Sequence, residues 1–76
     1  MPSLPSVTGT QAIRAFSKAG FSVARIKGSH HIMSKPGHPH VVSVPVHGNA
    51  PLKSGTLRSL VRDAGLTVEG FIALLS

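Results

Sequence analysis

The chain has 76 residues, enough for one small domain with a thin hydrophobic core. Eight Lys and Arg against two Asp and Glu give a formal charge of +6, and the lack of cysteine excludes disulfide bonds and Cys-based zinc or redox sites. No apolar run is long enough to span a membrane and the first residues lack the pattern of a secretory signal, so we expect a cytoplasmic domain. Its charge favours a polyanion such as RNA as partner, with solubility alone or an acidic protein partner as alternatives.

The first predicted element is a short amphipathic helix. Residues 1–7 contain two prolines and are interpreted as a loose N-terminal lead-in. Thr8 and Gln11 indicate a capping box, in which each side chain satisfies a free backbone donor at the start of a helix. Apolar residues at helical spacing then predict a helix from Gly9 to Ala19, and Gly20 is a suitable residue to end it.

Three strands are predicted next, because the apolar period changes from Phe21 onwards. Gly28-Ser29 suits a two-residue hairpin turn of type II′, which needs glycine at its first central position. A second strand follows from His30 to about Lys35, and the valine-rich run Val41–Val46 predicts a third. Pro45 cannot donate a hydrogen bond to a neighbouring strand, so the third strand is expected at an edge of the sheet.

Two helices complete the chain. The second is predicted from Ser54 to Ala64, ending before Gly65, and Thr67 can cap a short final helix. The order predicts one α+β domain over residues 1–76, with a three-stranded antiparallel sheet and helices on one face. The apolar residues expected to face the core are Leu57, Leu60, Val61 and Ala64 in the second helix and Phe71, Leu74 and Leu75 in the third.

The two-residue turn also predicts which side chains share a face of the first hairpin, because directly opposed residues lie on the same side of a sheet. In this register Lys27 faces His30 and Ala24 faces Met33. We expect the apolar face to pack on the helices and the basic face to meet solvent or ligand; a slip by one residue would exchange them. The basic face comprises Arg25, Lys27 and His30, and the apolar face comprises Ala24, Ile26 and Met33.

A histidine beside two cations is suited to the chemistry of RNA. An imidazole can accept or donate a proton near neutral pH, while cations attract a phosphodiester and stabilise charge on its oxygens. RNA carries its own nucleophile, the 2′-hydroxyl, so its cleavage needs no metal or other cofactor. The hairpin alone favours a simpler alternative, in which His30 is a strand-end residue bonded to a turn carbonyl.

The other histidines do not predict a metal site. His30 and His31 fall on opposite faces of one strand, a poor arrangement for chelating a single ion. His38 and His40 can bring two rings together, but a chain with no Cys and two acids offers few further ligands.

Three further side chains are candidates for phosphate contacts. His47 follows the third strand and continues the alternation of its outward-facing residues, so it can contribute to a ligand surface. The alternative is that it is a solvated loop residue. Ser29 lacks the partners of a hydrolase triad, which leaves hydrogen bonds to phosphate or within the turn. Arg58 can bind phosphate from the second helix, where a solvated helix face is the alternative.

Four blocks of the sequence share a known pattern: Gly28-Ser29-His30, Val44-Pro45-Val46-His47-Gly48, Lys53-Ser54-Gly55-Thr56-Leu57-Arg58 and Asp63-Ala64-Gly65-Leu66. In this order, over roughly residues 8–75, they resemble the HicA family of toxin ribonucleases. The resemblance implies a double-stranded-RNA-binding-domain-like fold and cleavage of mRNA that inhibits translation, with His30 as the catalytic residue. It also implies a HicB antitoxin that blocks the active surface.

The resulting hypothesis is a metal-independent endoribonuclease toxin without a cofactor, using His30 as general acid or base. A non-catalytic RNA-binding module of the same fold, or a basic adaptor whose only partner is an acidic protein, are the alternatives. The first would bind RNA saturably without cleaving it, and the second would not bind RNA at moderate salt. The oligomeric state is not predicted. The residues expected near the RNA phosphate are Arg25, Lys27, Gly28, Ser29, His47, Lys53 and Arg58.

Overall fold

The computed structural model describes residues 3–76, so that Met1 and Pro2 of the predicted lead-in lie outside the described residues. The three strands form one antiparallel sheet in the order β1-β2-β3. This architecture confirms the predicted α+β fold, and no predicted bound is in error by more than one residue. The elements are α1 (Gly9–Lys18), β1 (Ser22–Lys27), β2 (His30–Ser34), β3 (Val42–Pro45), α2 (Ser54–Asp63) and α3 (Val68–Leu74).

Side-chain caps fix the starts of two helices. The Thr8 hydroxyl accepts a hydrogen bond from the Gln11 amide at 3.2 Å, and the Gln11 side chain accepts one from the Thr8 amide at 2.9 Å. The Thr67 hydroxyl accepts a hydrogen bond from the Gly70 amide at 2.9 Å. Both caps were predicted, because the sequence pattern of a cap is local.

The hydrophobic core lies between one face of the sheet and the helices. Phe16 from α1 and Phe71 from α3 are fully buried, with their ring centroids 5.2 Å apart. The sheet contributes Met33, Val42 and Val44 to this core, and all three side chains are fully buried. The alternate residues of β2 and β3 therefore face away from the helices. The four residues predicted to face the core from α2 and the residue after it are also buried: Leu57, Leu60, Val61 and Ala64.

The segment before α1 is held more firmly than its prolines predict. Val7 is buried, and its carbonyl accepts a hydrogen bond from the Leu52 amide at 2.7 Å. Thr8 and Pro51 form an isolated β-bridge beside this bond. Prolines disfavour regular helix and strand, but they do not prevent a single apolar side chain from entering the core.

The first hairpin has the predicted turn and one irregularity. Gly28 has a φ of +61° whereas Ser29 does not have a positive φ, as a type II′ turn requires. The predicted register holds for the three pairs nearest the turn. Ala24 is then the extra residue of a β-bulge, so that Val23, and not Ala24, lies opposite Met33.

The helices do not cover β1, which corrects one prediction. All six residues of β1 are exposed, and the side chain of Ile26 is 60% exposed. The expectation that Ala24 and Ile26 pack on the helices is therefore wrong. The main contacts of α1 and α2 with the sheet are made to β3. Alternation along a strand identifies a face of the sheet, but not how far across that face the helices extend.

Strand β3 lies at an edge of the sheet, as Pro45 predicts. The Val46 amide donates a hydrogen bond to the Ser29 carbonyl at 2.8 Å. The direction of backbone hydrogen bonds alternates from one residue to the next, so the nitrogen of Pro45 points away from β2. It faces the free edge of the sheet, where no neighbouring strand needs a donor. Gly9 is buried against this edge, and a Cβ atom there would lie 2.4 Å from the Pro45 carbonyl oxygen.

The close approach at Gly9 predicts a loss of stability in Gly9→Ala. The added methyl group forces α1 or the end of β3 to move, and we expect the free energy of unfolding to fall by about 1–3 kcal/mol. Urea denaturation measures this change. Gly55→Ala is the matched control, because Gly55 lies in α2 with nothing within 4 Å of an added Cβ. Equal stability of the two variants would contradict the prediction.

Candidate nucleic-acid interface

The face of the sheet that points away from the helices is open and basic, and we call it the open face. Arg25 and Lys27 lie on it together with His30, and all three side chains are exposed. The two acidic side chains of the chain, Asp63 and Glu69, belong to α2 and α3 and not to this face. The register of the strands defines the open face as Ser22, Arg25, Lys27, His30, Ile32, Ser34, Ser43 and Pro45.

His30 occupies the middle strand of the open face. It is the first residue of β2 and lies opposite Lys27 in β1 and Pro45 in β3. Cβ atoms of directly opposed residues are roughly 4.5–5.5 Å apart, so the Lys27 ammonium group can reach the same phosphate as the imidazole. Within residues 3–76 the His30 ring makes no hydrogen bond, so the bond to a turn carbonyl is not formed.

The turn beside His30 combines an open backbone with a hydroxyl group. Gly28 is exposed, and an added Cβ there would meet nothing within 4 Å, so its positive φ is what favours glycine. Ser29 is half-buried, and its carbonyl is occupied by the amide of Val46. The hairpin tip therefore leaves room for a ligand to approach the backbone next to the imidazole.

A cleft of about 400 Å³ adjoins the open face at Pro45. Because Pro45 lies directly opposite His30, the cleft begins one strand away from the imidazole, roughly 5 Å. His47 and Lys53 line it, so the structure brings these two predicted residues to the side of His30. Thr56 also lines it and was missed, because only the fold brings the start of α2 to β3. The complete lining is Pro45, His47, Ala50, Pro51, Leu52, Lys53 and Thr56.

Helix α2 begins at this cleft. Lys53 is its N-cap residue, and no side chain caps the helix by a hydrogen bond. The first turn contains no acidic residue. A helix N-terminus with open amide groups favours anions, so this end of α2 and the Lys53 ammonium group both attract an anion to the cleft.

Arg58 is not brought to His30 in the same way. It is exposed on α2, but it does not line the cleft. Its predicted role as a phosphate contact thus has weaker geometric support than those of His47 and Lys53.

His38 has a structural role that the sequence did not indicate. Its Nε2 atom lies 2.7 Å from the carbonyl oxygen of Asp63, and its ring packs edge-on against Phe21 with centroids 5.3 Å apart. The ring of His40 lies 6.0 Å from that of His38, centroid to centroid. His38 therefore connects the loop between β2 and β3 to the end of α2.

His31 faces the opposite side of the sheet from His30. It pairs with Ile26 and Val44, and its Nδ1 atom is buried without a hydrogen-bond partner. Over the described part of the chain, no group of three or more His, Asp or Glu residues is arranged to hold a metal ion.

The fold and the open face together describe a class of protein: a small α+β domain with an exposed histidine on a basic sheet face that has no acidic side chain, and such a face is suited to a polyanion. A family model described as "HicA toxin of bacterial toxin-antitoxin" matches residues 9–66, which include the whole open face and the cleft. The chain therefore belongs to the HicA toxin family: it is the toxin of a toxin–antitoxin system, whose partner is an antitoxin. No curated protein matches the chain. Among residues 3–76, no helix has the length and apolar character needed to cross a membrane.

Proposed function

We propose that this toxin is a metal-independent endoribonuclease that cleaves mRNA and thereby inhibits translation, and that a HicB-type antitoxin inhibits it. The observation that carries the proposal is the position of His30, which is exposed, lies opposite Lys27 and faces no carboxylate. Membership of the HicA toxin family supports the same function.

Binding of RNA is assigned to side chains on both sides of His30. Arg25 and Lys27 are on β1, whereas His47 and Lys53 line the cleft beyond β3. A chain of phosphates that crosses the sheet from β1 to the cleft passes the imidazole. Such contacts position the RNA without reading its sequence, so we expect affinity to fall steeply as salt concentration rises. Gly28, Ser29 and Arg58 are secondary contacts in this proposal.

The proposed reaction is an internal transfer that needs no added water or metal. As general base, His30 takes the proton of the 2′-hydroxyl; the 2′-oxygen forms a bond to phosphorus, and the bond to the 5′-oxygen breaks. As general acid, it gives a proton to the departing 5′-oxygen. The products are a 2′,3′-cyclic phosphate and a 5′-hydroxyl end. Lys27 stabilises the negative charge that develops on the non-bridging phosphate oxygens.

A substrate with a single 2′-deoxy nucleotide on the 5′ side of the cleaved bond tests this reaction. We expect cleavage at that bond to be lost, because the nucleophile is missing, while affinity for the RNA is retained. Mass spectrometry of the products from unmodified RNA should show 2′,3′-cyclic phosphate ends, with the same rate in EDTA. The control carries the 2′-deoxy nucleotide one position away.

Two results would contradict the proposal. Cleavage of the 2′-deoxy bond at an unchanged rate would exclude attack by the 2′-hydroxyl. Saturable RNA binding without cleavage at any protein concentration would identify a non-catalytic RNA-binding module instead.

A further inference from the structure

A second cleft, of about 270 Å³, lies on the helical side of the molecule. It is formed by the segment before α1, by α1 itself and by the end of α3, and it shares no residue with the open face or with the cleft at Pro45. We call it the α1–α3 cleft. Its lining is Pro5, Ser6, Val7, Gln11, Arg14, Ala15, Lys18, Leu74 and Leu75.

We propose that the α1–α3 cleft binds an acidic segment of a partner protein, in which one aliphatic side chain is flanked by carboxylates. The buried side chains of Val7 and Ala15 and the half-buried Leu74 and Leu75 make the aliphatic part of the lining. The volume is below the roughly 300–1,000 Å³ of sites for drug-sized ligands, so it suits one anchoring side chain.

Charge complementarity selects the flanking carboxylates. Arg14 and Lys18 are one turn apart on α1 and both exposed, so they place two positive charges beside the aliphatic part of the lining. The Lys18 ammonium group donates a hydrogen bond to a main-chain oxygen of Ser76, whereas Arg14 makes no side-chain hydrogen bond within residues 3–76. Neither Asp63 nor Glu69 lines the cleft. A partner's carboxylate would pair with Arg14, and a second carboxylate would lie within reach of Lys18.

Two other occupants fit less well. RNA phosphates could contact Arg14 and Lys18, but they would leave the aliphatic part of the lining without an apolar partner. A second copy of the chain offers Asp63 and Glu69 as its two acids, each in a helix beside buried core residues. An acidic segment of a different protein therefore fits best, and its docking at this cleft leaves the open face uncovered.

The test is a titration of the ¹⁵N-labelled chain with a capped synthetic peptide that has one leucine between glutamates. We expect saturable shifts confined to the α1–α3 cleft. Replacing the peptide leucine by alanine should weaken binding about tenfold, because apolar burial is lost. Replacing the glutamates by glutamine should abolish most of the remaining affinity. This readout does not involve RNA cleavage, so it is independent of the proposed function.

Variants of the chain provide the second arm. Arg14→Gln should weaken binding of the peptide about threefold, whereas Arg62→Gln, which removes the same charge from an exposed position on α2, should not. Equal effects of the two variants would show attraction to net charge alone and overturn the proposal. The proposal would also be overturned if the peptide caused no saturable shift, or if the alanine peptide bound equally well. Shifts at the cleft on addition of an RNA oligonucleotide would identify RNA as the occupant, and concentration-dependent shifts there without peptide would identify a second copy of the chain.

Discussion

His30→Ala is expected to lower the rate of RNA cleavage by about 10²–10⁴-fold while the fold remains intact. The side chain is exposed and makes no hydrogen bond within residues 3–76, so its removal costs the fold little packing and leaves no buried polar group unpaired. What is lost is the group that transfers the proton. Single-turnover cleavage of an RNA oligonucleotide measures the rate, and thermal unfolding verifies the fold.

His40→Ala is the matched control for this experiment. His40 is also exposed, but it lies in the loop between β2 and β3, away from the open face. We expect the His40→Ala variant to cleave RNA at the same rate as the unaltered chain. An unchanged rate in His30→Ala, measured in EDTA, would show that the imidazole does not act in the reaction. RNA binding is expected to persist in both variants, because the cations of the open face remain.

Much of the fold could be predicted because its signals are local. A capping box needs only Thr8 and Gln11, a type II′ turn needs only glycine at position 28, and the missing amide of Pro45 marks an edge strand. These three features set the start of α1, the register nearest the first turn and the position of β3 at an edge of the sheet. That register is what places His30 opposite Lys27.

The features that were missed depend on packing between distant segments. The bulge at Ala24 shifts the pairing of β1 without a recognisable residue pattern, because alanine suits either a regular strand or a bulge. The exposure of Ile26 depends on where the helices lie across the sheet, which alternation does not encode. The role of His38 needs the Asp63 carbonyl, 25 positions later in the chain, and the cleft beside Pro45 needs α2.

Phe16→Ala is expected to lower the free energy of unfolding by about 3–5 kcal/mol, a large share of the roughly 5–15 kcal/mol of an ordinary domain. Phe16 is fully buried and its ring contacts those of Phe21 and Phe71, at centroid distances of 6.1 and 5.2 Å. Its removal therefore leaves a cavity where α1 meets α3 and the start of the sheet. Urea denaturation at a fixed temperature measures the loss.

Ile13→Ala is the control, since Ile13 lies on the same helix but is only half-buried, and we expect a clearly smaller loss. Because Phe16 does not touch the open face, the molecules of Phe16→Ala that remain folded should cleave RNA at an unchanged rate. His30→Ala should show the reverse, with stability kept and cleavage lost. If Phe16→Ala abolished cleavage without lowering stability, or cost no more stability than Ile13→Ala, the core and the open face would not be separate as proposed.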